Sequence, residues 1–459
     1  MPDLTGDITI IGGGPAGYSA ALRASKLGAS VILVEKNKIG GACLNNACIP
    51  TKTLLHSLSL LQSINDASTF GIAADRAVID FAGLRNYKNK ILSLMNNGVQ
   101  ALMQEAGVVV LLGSARVLSP RCVEILPDNE PPQSIKSESI IIATGSVPAK
   151  LSIPGFDDPD ILYSNDILKI SHIPDSLIIV GGGAVGVELA SIMNGLGCRV
   201  SILESMPRIL PREDQETALV FERALRKSGI KIYPGAEIIS LETIDNSRRV
   251  RFTCTNSVEI LEAESVCVAT GQQPFFEGLG LAECSVRSTS RGIGVDKHMR
   301  TTAPGIFAAG DVTGNLMLAY VAMAEGRVAA ENASGRDTVM EYTAIPHCVY
   351  GTTVELASVG ISESQAIIDA LPVTVLRSTM GANASAAILG ERRGLVKILA
   401  GENGRILGVH MVGTGVSNLI AECALAIKLG AGIDDLRHTL HPHPTLSESV
   451  WDASLGDNN

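Results

Sequence analysis

One arrangement of apolar and glycine positions occurs twice along the chain. The apolar run Asp7-Ile8-Thr9-Ile10-Ile11 reads as a buried strand and leads into Gly12-Gly13-Gly14-Pro15-Ala16-Gly17. A helix is expected from there to about Leu27, followed by the strand Val31-Ile32-Leu33-Val34, which ends at Glu35. Much later, Leu177-Ile178-Ile179-Val180 leads into Gly181-Gly182-Gly183-Ala184-Val185-Gly186, a helix to about Leu196, the strand Val200-Ser201-Ile202-Leu203, and Glu204. Neither pair of strands alternates strongly between polar and apolar residues, as expected of a parallel sheet covered on both faces. The chain is therefore expected to carry two dinucleotide-binding units of strand, glycine turn, helix, strand and acid.

Between and after these units the pattern is looser. Residues 148–159, with Pro154 and Gly155, read as a crossing between domains, and residues 128–132 as a hairpin tip or surface loop. Composition shifts again near residues 331–337, before short strands, a helix and a tail rich in His and Pro. At 459 residues the chain is too long for one ordinary core, and length alone suggests roughly three domains. A hydrophobic fraction of 46% with 18% charged residues suits a globular enzyme and excludes a disordered chain. The net charge of −10, without a basic stripe, argues against nucleic acid as a partner. The N-terminus lacks a charged-then-apolar signal pattern, and no run reaches the ~18 apolar residues of a membrane span. The longest greasy stretch, 419–430, is interrupted by Glu422 and Lys428. The expected location is the cytoplasm, where nine cysteines are not a structural disulfide set. Cys122, Cys198, Cys254, Cys267, Cys284, Cys348 and Cys423 are expected mostly to be small hydrophobes.

In both units the glycines allow a tight turn and let backbone N–H groups approach a pyrophosphate at a helix N-terminus. Gly12, Gly14 and Gly17 would serve the first unit, and Gly181, Gly183 and Gly186 the second. Glu35 and Glu204 would accept hydrogen bonds from adenosine ribose hydroxyls. A carboxylate at Glu204 repels a 2′-phosphate and favours NAD over NADP, with Arg208 and Arg212 near enough to complicate the choice.

The segment Gly40-Gly41-Ala42-Cys43-Leu44-Asn45-Asn46-Ala47-Cys48-Ile49-Pro50-Thr51-Lys52 carries a different chemistry. Two cysteines five apart in an ideal α-helix have Cα atoms about 8.6 Å apart. A disulfide wants less than about 7 Å. Cys43 is therefore expected in a distorted or pre-helical turn, and a disulfide held there would be labile. A helix N-terminus would favour a thiolate. No partner pair has the spacing of a zinc site, and no metal is expected.

This segment resembles the redox motif of the class I pyridine nucleotide-disulfide oxidoreductases, a family that includes dihydrolipoamide dehydrogenase, glutathione reductase and mercuric reductase. The resemblance runs in order over essentially the whole chain. It implies an α/β fold with two Rossmann-like dinucleotide-binding domains and a C-terminal α+β dimerisation domain. Residues 1–148 would begin the FAD-binding domain and 149–271 form the NAD-binding domain. Residues 272–338 would complete the FAD-binding or central part, and 339–459 form the interface domain. The first glycine turn with Glu35 is assigned to FAD, and the second with Glu204 to NAD. Cys48 becomes the thiol facing the flavin and Cys43 the one exchanging with substrate. Lys52 matches the lysine near the flavin, and Glu188 its carboxylate partner. Ala143-Thr144-Gly145 and Ala269-Thr270-Gly271 resemble paired crossover strands, bringing Thr144 and Gly145 to FAD and Gly271 to NAD. Residues 302–312 resemble a second FAD motif, with Gly310 in its turn and Asp311 on the ribityl hydroxyls.

The tail His441-Pro442-His443-Pro444-Thr445-Leu446-Ser447-Glu448 resembles the family's acid–base segment. It makes His443 the proton acceptor, Glu448 the carboxylate that orients its ring, and His441 a structural residue. Histidine ordinarily titrates near neutral pH and can take a proton from a dithiol. In this family the histidine acts across a dimer interface, which implies a homodimer. The tail, without a terminal cysteine pair, and Glu204 together most resemble the dihydrolipoamide dehydrogenase branch. That branch implies oxidation of protein-bound dihydrolipoamide with reduction of NAD+; the alternative is an NAD(P)H-dependent reductase of another small disulfide or a quinone. No lipoyl segment precedes Asp7, so the lipoyl group is expected on another chain, of a 2-oxoacid dehydrogenase or glycine-cleavage system. The sequence departs from the family pattern at Ala47 (usually Gly), Thr51 (usually Ser), Gln272 (usually Arg) and Tyr320 (often His). The segment Tyr350-Gly351-Thr352-Thr353-Val354-Glu355 also lacks a usual proline.

Overall fold

The computed structural model describes residues 4–127, 131–245, 247–255 and 257–456. Of the expected loop at 128–132, residues 128–130 lie outside the described residues. The chain forms two compact units, one built from 1–53, 82–149 and 271–341, the other from 54–81, 150–270 and 342–459.

The first unit is organised by strand β1 (Leu4–Ile11), helix α1 (Pro15–Lys26) and strand β2 (Val31–Glu35). β2 is buried at every position and β1 over its last four, which is why neither alternates in sequence. β1 pairs in parallel with β2 and with the strand Gln133–Ile142, bringing Ile11 level with Val34 and Ile142. Strand Val109–Leu112 extends the parallel sheet beyond β2, and Ile306–Ala308 joins Gln133–Ile142 on its other side. The two expected crossover strands, Ser146–Pro148 and Gln272–Pro274, pair with each other antiparallel. Two helices whose bounds the sequence did not give are Cys48–Asn65, which starts inside the cysteine segment, and Phe81–Glu105.

The second unit repeats the device. Parallel strands Ser176–Val180 and Arg199–Glu204 flank the helix Ala184–Gly195, with Lys231–Pro234 and Ser265–Val268 outside them. Its C-terminal part is a five-stranded antiparallel sheet of His347–Tyr350, Glu355–Gly360, Ile406–Gly413, Leu395–Gly401 and Val373–Thr379. Helix Val416–Leu429 sets Val416, Ile420 and Cys423 into the core of that sheet. Among the described residues no helix is long and apolar enough to cross a membrane.

A polar cluster sits in this second unit. Lys397, Ser358 and His410 stand side by side on neighbouring strands. Lys397 Nζ lies 2.9 Å from Asp214 and 2.6 Å from Glu363. Asp214 is also the N-cap of helix Gln215–Lys227, accepting a hydrogen bond from the Glu216 N–H at 3.1 Å. The side chains of Lys397 and Asp214 are 2% and 1% exposed, so each relies on the other. Burial works against both charges. The hydrogen bonds from Lys397 to Asp214 and Glu363 outweigh it, leaving the Asp214 carboxyl below its usual range and the Lys397 ammonium above its own.

Lys397→Met should cost about 3–5 kcal/mol by leaving a buried carboxylate unpaired. Because the folded pKa of Asp214 is depressed, the pair's contribution is present at neutral pH and lost as pH falls through that pKa. Urea unfolding at pH 7 measures the loss; a change under 1 kcal/mol (on the order of an exposed pair) would contradict the pairing.

Candidate active site

The two glycine turns share one construction. Gly12 and Gly181 lie at φ +104° and +108°, and a Cβ on either would sit 2.3 Å or 2.5 Å from the carbonyl oxygen of Ala143 or Ala269. A Cβ on Gly17 or Gly186 would meet the carbonyl oxygen of Gly12 or Gly181 at 1.8 Å or 1.9 Å. The protein's own packing therefore demands these four glycines. The middle pair is different: the nearest atom to a Cβ on Gly14 is 3.8 Å away, and nothing lies within 4 Å at Gly183. Each of these two is the N-cap of a helix without a side-chain cap, α1 with Pro15 at its start and Ala184–Gly195. Open space in front of uncapped helix N–H groups is what an incoming pyrophosphate needs.

The acids close the turns. Glu35 accepts from the Gly13 N–H at 2.6 Å and the Asn37 N–H at 2.8 Å. Glu204 accepts from the Gly182 N–H at 2.6 Å and the Met206 N–H at 2.7 Å. Each carboxylate oxygen keeps a lone pair for a ribose hydroxyl. The complication foreseen from Arg208 is removed by its geometry. Its guanidinium donates to the carbonyls of Leu210, Pro211 and Glu213 at 2.5, 3.1 and 2.7 Å, so it braces the turn, while Arg212 stays exposed.

Cys43 lies in the short helix α2 (Gly41–Asn46), and Cys48 opens helix α3 (Cys48–Asn65). Ala47 between them takes φ −134° and ψ −92°, outside helical geometry. That break lets the side chains of Cys43 and Cys48 hydrogen-bond to each other as thiols. The negative φ at Ala47 needs no glycine. Hydrogen bonding to Cys48, then burial, then the charge on Cys48 push the Cys43 thiol well up, with Lys52 acting in the opposite direction. Cys48, as the first residue of α3, sits at the positive end of a helix, where negative charge is favoured. Lys52 follows four residues later, on the same face of α3. Among the other cysteines, burial pushes Cys198 and Cys267 up to about 12, as befits inert core thiols.

Other expected residues fall as follows. Asp311 is half-buried and accepts a hydrogen bond from Ser146 Oγ at 2.6 Å; burial holds its carboxyl above the usual range. The Gly310 N–H is committed to the buried Glu325 at 2.7 Å. The Thr144 hydroxyl donates to the Phe275 carbonyl at 2.5 Å, and the Gly145 carbonyl accepts from the Phe275 N–H at 2.9 Å. Gly271 lies at φ +122° in open space. Glu188 is buried and accepts from the Tyr350 N–H at 3.2 Å; it belongs to the second unit, whereas Cys43, Cys48 and Lys52 belong to the first. In the tail, His443 Nδ1 lies 2.9 Å from Glu448 Oε1, and Glu448 Oε2 accepts from the Thr445 N–H at 2.9 Å. Those two contacts, the backbone one first, hold the Glu448 carboxyl below its usual range. A carboxylate there accepts a hydrogen bond from Nδ1–H and leaves Nε2 turned away from it, on a ring whose side chain is 72% exposed.

Sequence reasoning missed Ser146, Glu325 and Tyr18. Tyr18 lies on α1 close enough to Cys43 and Cys48 for their charge to add to burial in raising its phenol pKa. Only the spacing of Tyr18 four residues past Gly14 hinted at it.

Comparison with known proteins accords with this geometry. Residues 6–326 match the family described as pyridine nucleotide-disulphide oxidoreductase, and residues 345–454 match its dimerisation domain. Two dihydrolipoyl dehydrogenases, from Bacillus subtilis and Thermus scotoductus, are each 38% identical to this chain. The first match covers 98% of both chains, the second 98% of this chain and 97% of the relative. Among solved structures, the Cu(II) complex of the HOCl-induced flavoprotein disulfide reductase RclA from Escherichia coli superposes with a TM-score of 0.88. It is 27% identical and covers 99% of each chain.

The glycine geometry separates packing from binding. Gly183→Ala should keep the melting temperature of the protein and weaken pyridine nucleotide about tenfold, or ~1.4 kcal/mol. Gly186→Val should destabilise the fold itself. Calorimetry with NADH and thermal melts check both; unchanged nucleotide affinity in a folded Gly183→Ala protein would contradict the reading.

Proposed function

This chain belongs to the pyridine nucleotide-disulphide oxidoreductase family, and from that premise we propose that it is a dihydrolipoyl dehydrogenase. It oxidises protein-bound dihydrolipoamide to lipoamide and reduces NAD+, using Cys43 and Cys48 as its redox pair. The observation that carries the choice of branch is the 38% identity, across almost the entire length, to enzymes of that name.

The open, uncapped glycine turns and their anchored acids fit two dinucleotides. We assign Gly12, Gly14, Gly17, Glu35, Lys52, Thr144, Gly145, Gly310 and Asp311 to FAD. Gly181, Gly183, Gly186, Glu204 and Gly271 are assigned to NAD. When bound, FAD would supply the two-electron acceptor for the dithiol and the hydride source for NAD+. The remaining chemistry belongs to side chains. In the oxidised enzyme Cys43 and Cys48 share a disulfide. A substrate thiolate, its proton taken by His443 Nε2, attacks the Cys43 sulfur and displaces Cys48 as a thiolate. The second substrate thiol attacks the sulfur of its partner in the mixed disulfide. This forms the cyclic disulfide and returns Cys43 as a thiol. Two electrons thus reach the enzyme pair, leaving Cys43 as a thiol, Cys48 as a thiolate and the first substrate proton on His443. Glu448 holds the tautomer and stabilises the imidazolium. Lys52 would stabilise negative charge at the flavin.

The dimerisation domain supports a homodimer, in which His443 serves the opposite subunit. Segments 1–148 and 272–338 are read as the FAD-binding part, 149–271 as the NAD-binding part and 339–459 as the interface. The lipoyl group arrives on a separate protein of a 2-oxoacid dehydrogenase or glycine-cleavage system, in the cytoplasm.

A panel of dithiols and disulfides tests this. Dihydrolipoamide with NAD+ should turn over far faster than any other pair, and His443→Gln should lower its kcat/KM by roughly 10²–10⁴-fold. Preference for a different disulfide or for a quinone would overturn the substrate assignment.

A further inference from the structure

The loop that presents His443 runs from helix Ile433–His438 to helix Glu448–Leu455. Its outward side is bare: Leu440 is 95% exposed, and Pro442, His443 and Pro444 are exposed as well. One side chain in this stretch points the other way. His441 is only 5% exposed, and both its ring nitrogens face acceptors. Nδ1 lies 3.1 Å from the Thr439 carbonyl oxygen and Nε2 lies 3.0 Å from Glu422 Oε1. Glu422 sits on helix Val416–Leu429, beside Cys423, which is packed into the core. The loop is thereby tied to a fixed helix two residues before the catalytic histidine. On the other side it is tied through Thr445, whose carbonyl accepts from the buried Asn383 side chain at 3.1 Å.

The same ring carries an electrostatic connection. The carboxylates that interact with it are Glu422, Glu448 and Asp452. Positive charge on His441 acts on both Glu448 and Asp452 in the direction that keeps them ionised. Glu448 is the carboxylate that holds the Nδ1 proton of His443. A neutral imidazole satisfies one of the two acceptors around His441, and an imidazolium both.

We propose that His441 and Glu422 form a second imidazole–carboxylate dyad, a positioning device that holds the His443 ring in register for proton transfer. The inference rests on the reading of His443 as the acid–base residue. Both residues act through His443, so the dithiol step should depend on them, whereas electron transfer from NADH to ferricyanide, which moves no dithiol proton, should not.

The test is a double-mutant cycle in the holoenzyme. His441→Phe should lower kcat for dihydrolipoamide by roughly tenfold to a hundredfold, the scale of a misplacement of about 1 Å, with KM and NADH–ferricyanide turnover unchanged. Glu422→Gln, at a partly exposed site that tolerates an isosteric change, should show the same loss. The double variant should be no worse than either single one. His441→Gln, which keeps a donor within reach of Glu422, should recover most of the activity. Full dithiol turnover in Glu422→Gln or in folded His441→Phe, or losses that multiply in the double variant, would overturn the dyad. If His443→Gln itself retained dithiol turnover, the underlying site assignment would fail instead.

Discussion

The departure from helical geometry at Ala47 is the constraint on which the redox reading depends. A continuous helix through residues 43–48 would hold the two Cα atoms too far apart for their sulfurs to bond. The chain instead ends α2 at Asn46, turns at Ala47 and restarts at Cys48. The restart has a second consequence, since it makes Cys48 the first residue of an 18-residue helix. The helix dipole and Lys52 then favour negative charge at that end, while the bond to Cys48 keeps the proton on Cys43. One backbone irregularity thus brings the sulfurs together and makes them unequal. Inequality is what a relay needs: one sulfur to exchange with substrate, the other to carry the charge.

The nucleotide-binding turns follow a comparable economy. Gly12 and Gly17, like Gly181 and Gly186, are fixed by backbone atoms of their own unit. Gly14 and Gly183 are not fixed in this way: a Cβ on Gly14 would find its nearest atom 3.8 Å away, and one on Gly183 nothing within 4 Å. Glu35 and Glu204 tie the same turns through Gly13 and Gly182. Each acid therefore shapes its turn before it can meet a ribose. The commitment of Arg208 to backbone carbonyls leaves the carboxylate of Glu204 without a competing cation from that side chain, which suits NAD.

Much of this was legible in the sequence. The two strand–glycine–helix–strand–acid units were read to within three residues, the largest difference being the start of β1 at Leu4 instead of Asp7, because buried parallel strands and glycine turns leave strong local signals. Helix geometry alone called for a break near the cysteines but put it at Cys43; Cys43 instead lies within α2, and the break falls at Ala47. Other contacts were not legible because they join positions far apart in the chain. Ser146 meets Asp311, and Glu325 takes the Gly310 N–H, only once the sheet has formed. Likewise His441 reads as an isolated structural histidine until Glu422, on a helix earlier in the chain, comes within 3.0 Å. The helices Cys48–Asn65 and Phe81–Glu105 had no turn of glycines to announce them.

The central claim is that Cys48 holds the negative charge of the reduced pair against the flavin. Anaerobic titration with dihydrolipoamide, followed by visible absorption, tests it most directly. The account expects a long-wavelength thiolate-to-flavin band that is maximal at two electrons per flavin. The band should be present without any reductant in Cys43→Ser, where Cys48 stands alone, and absent in Cys48→Ser. A band that survives in Cys48→Ser would place the charge on the other sulfur and contradict the account.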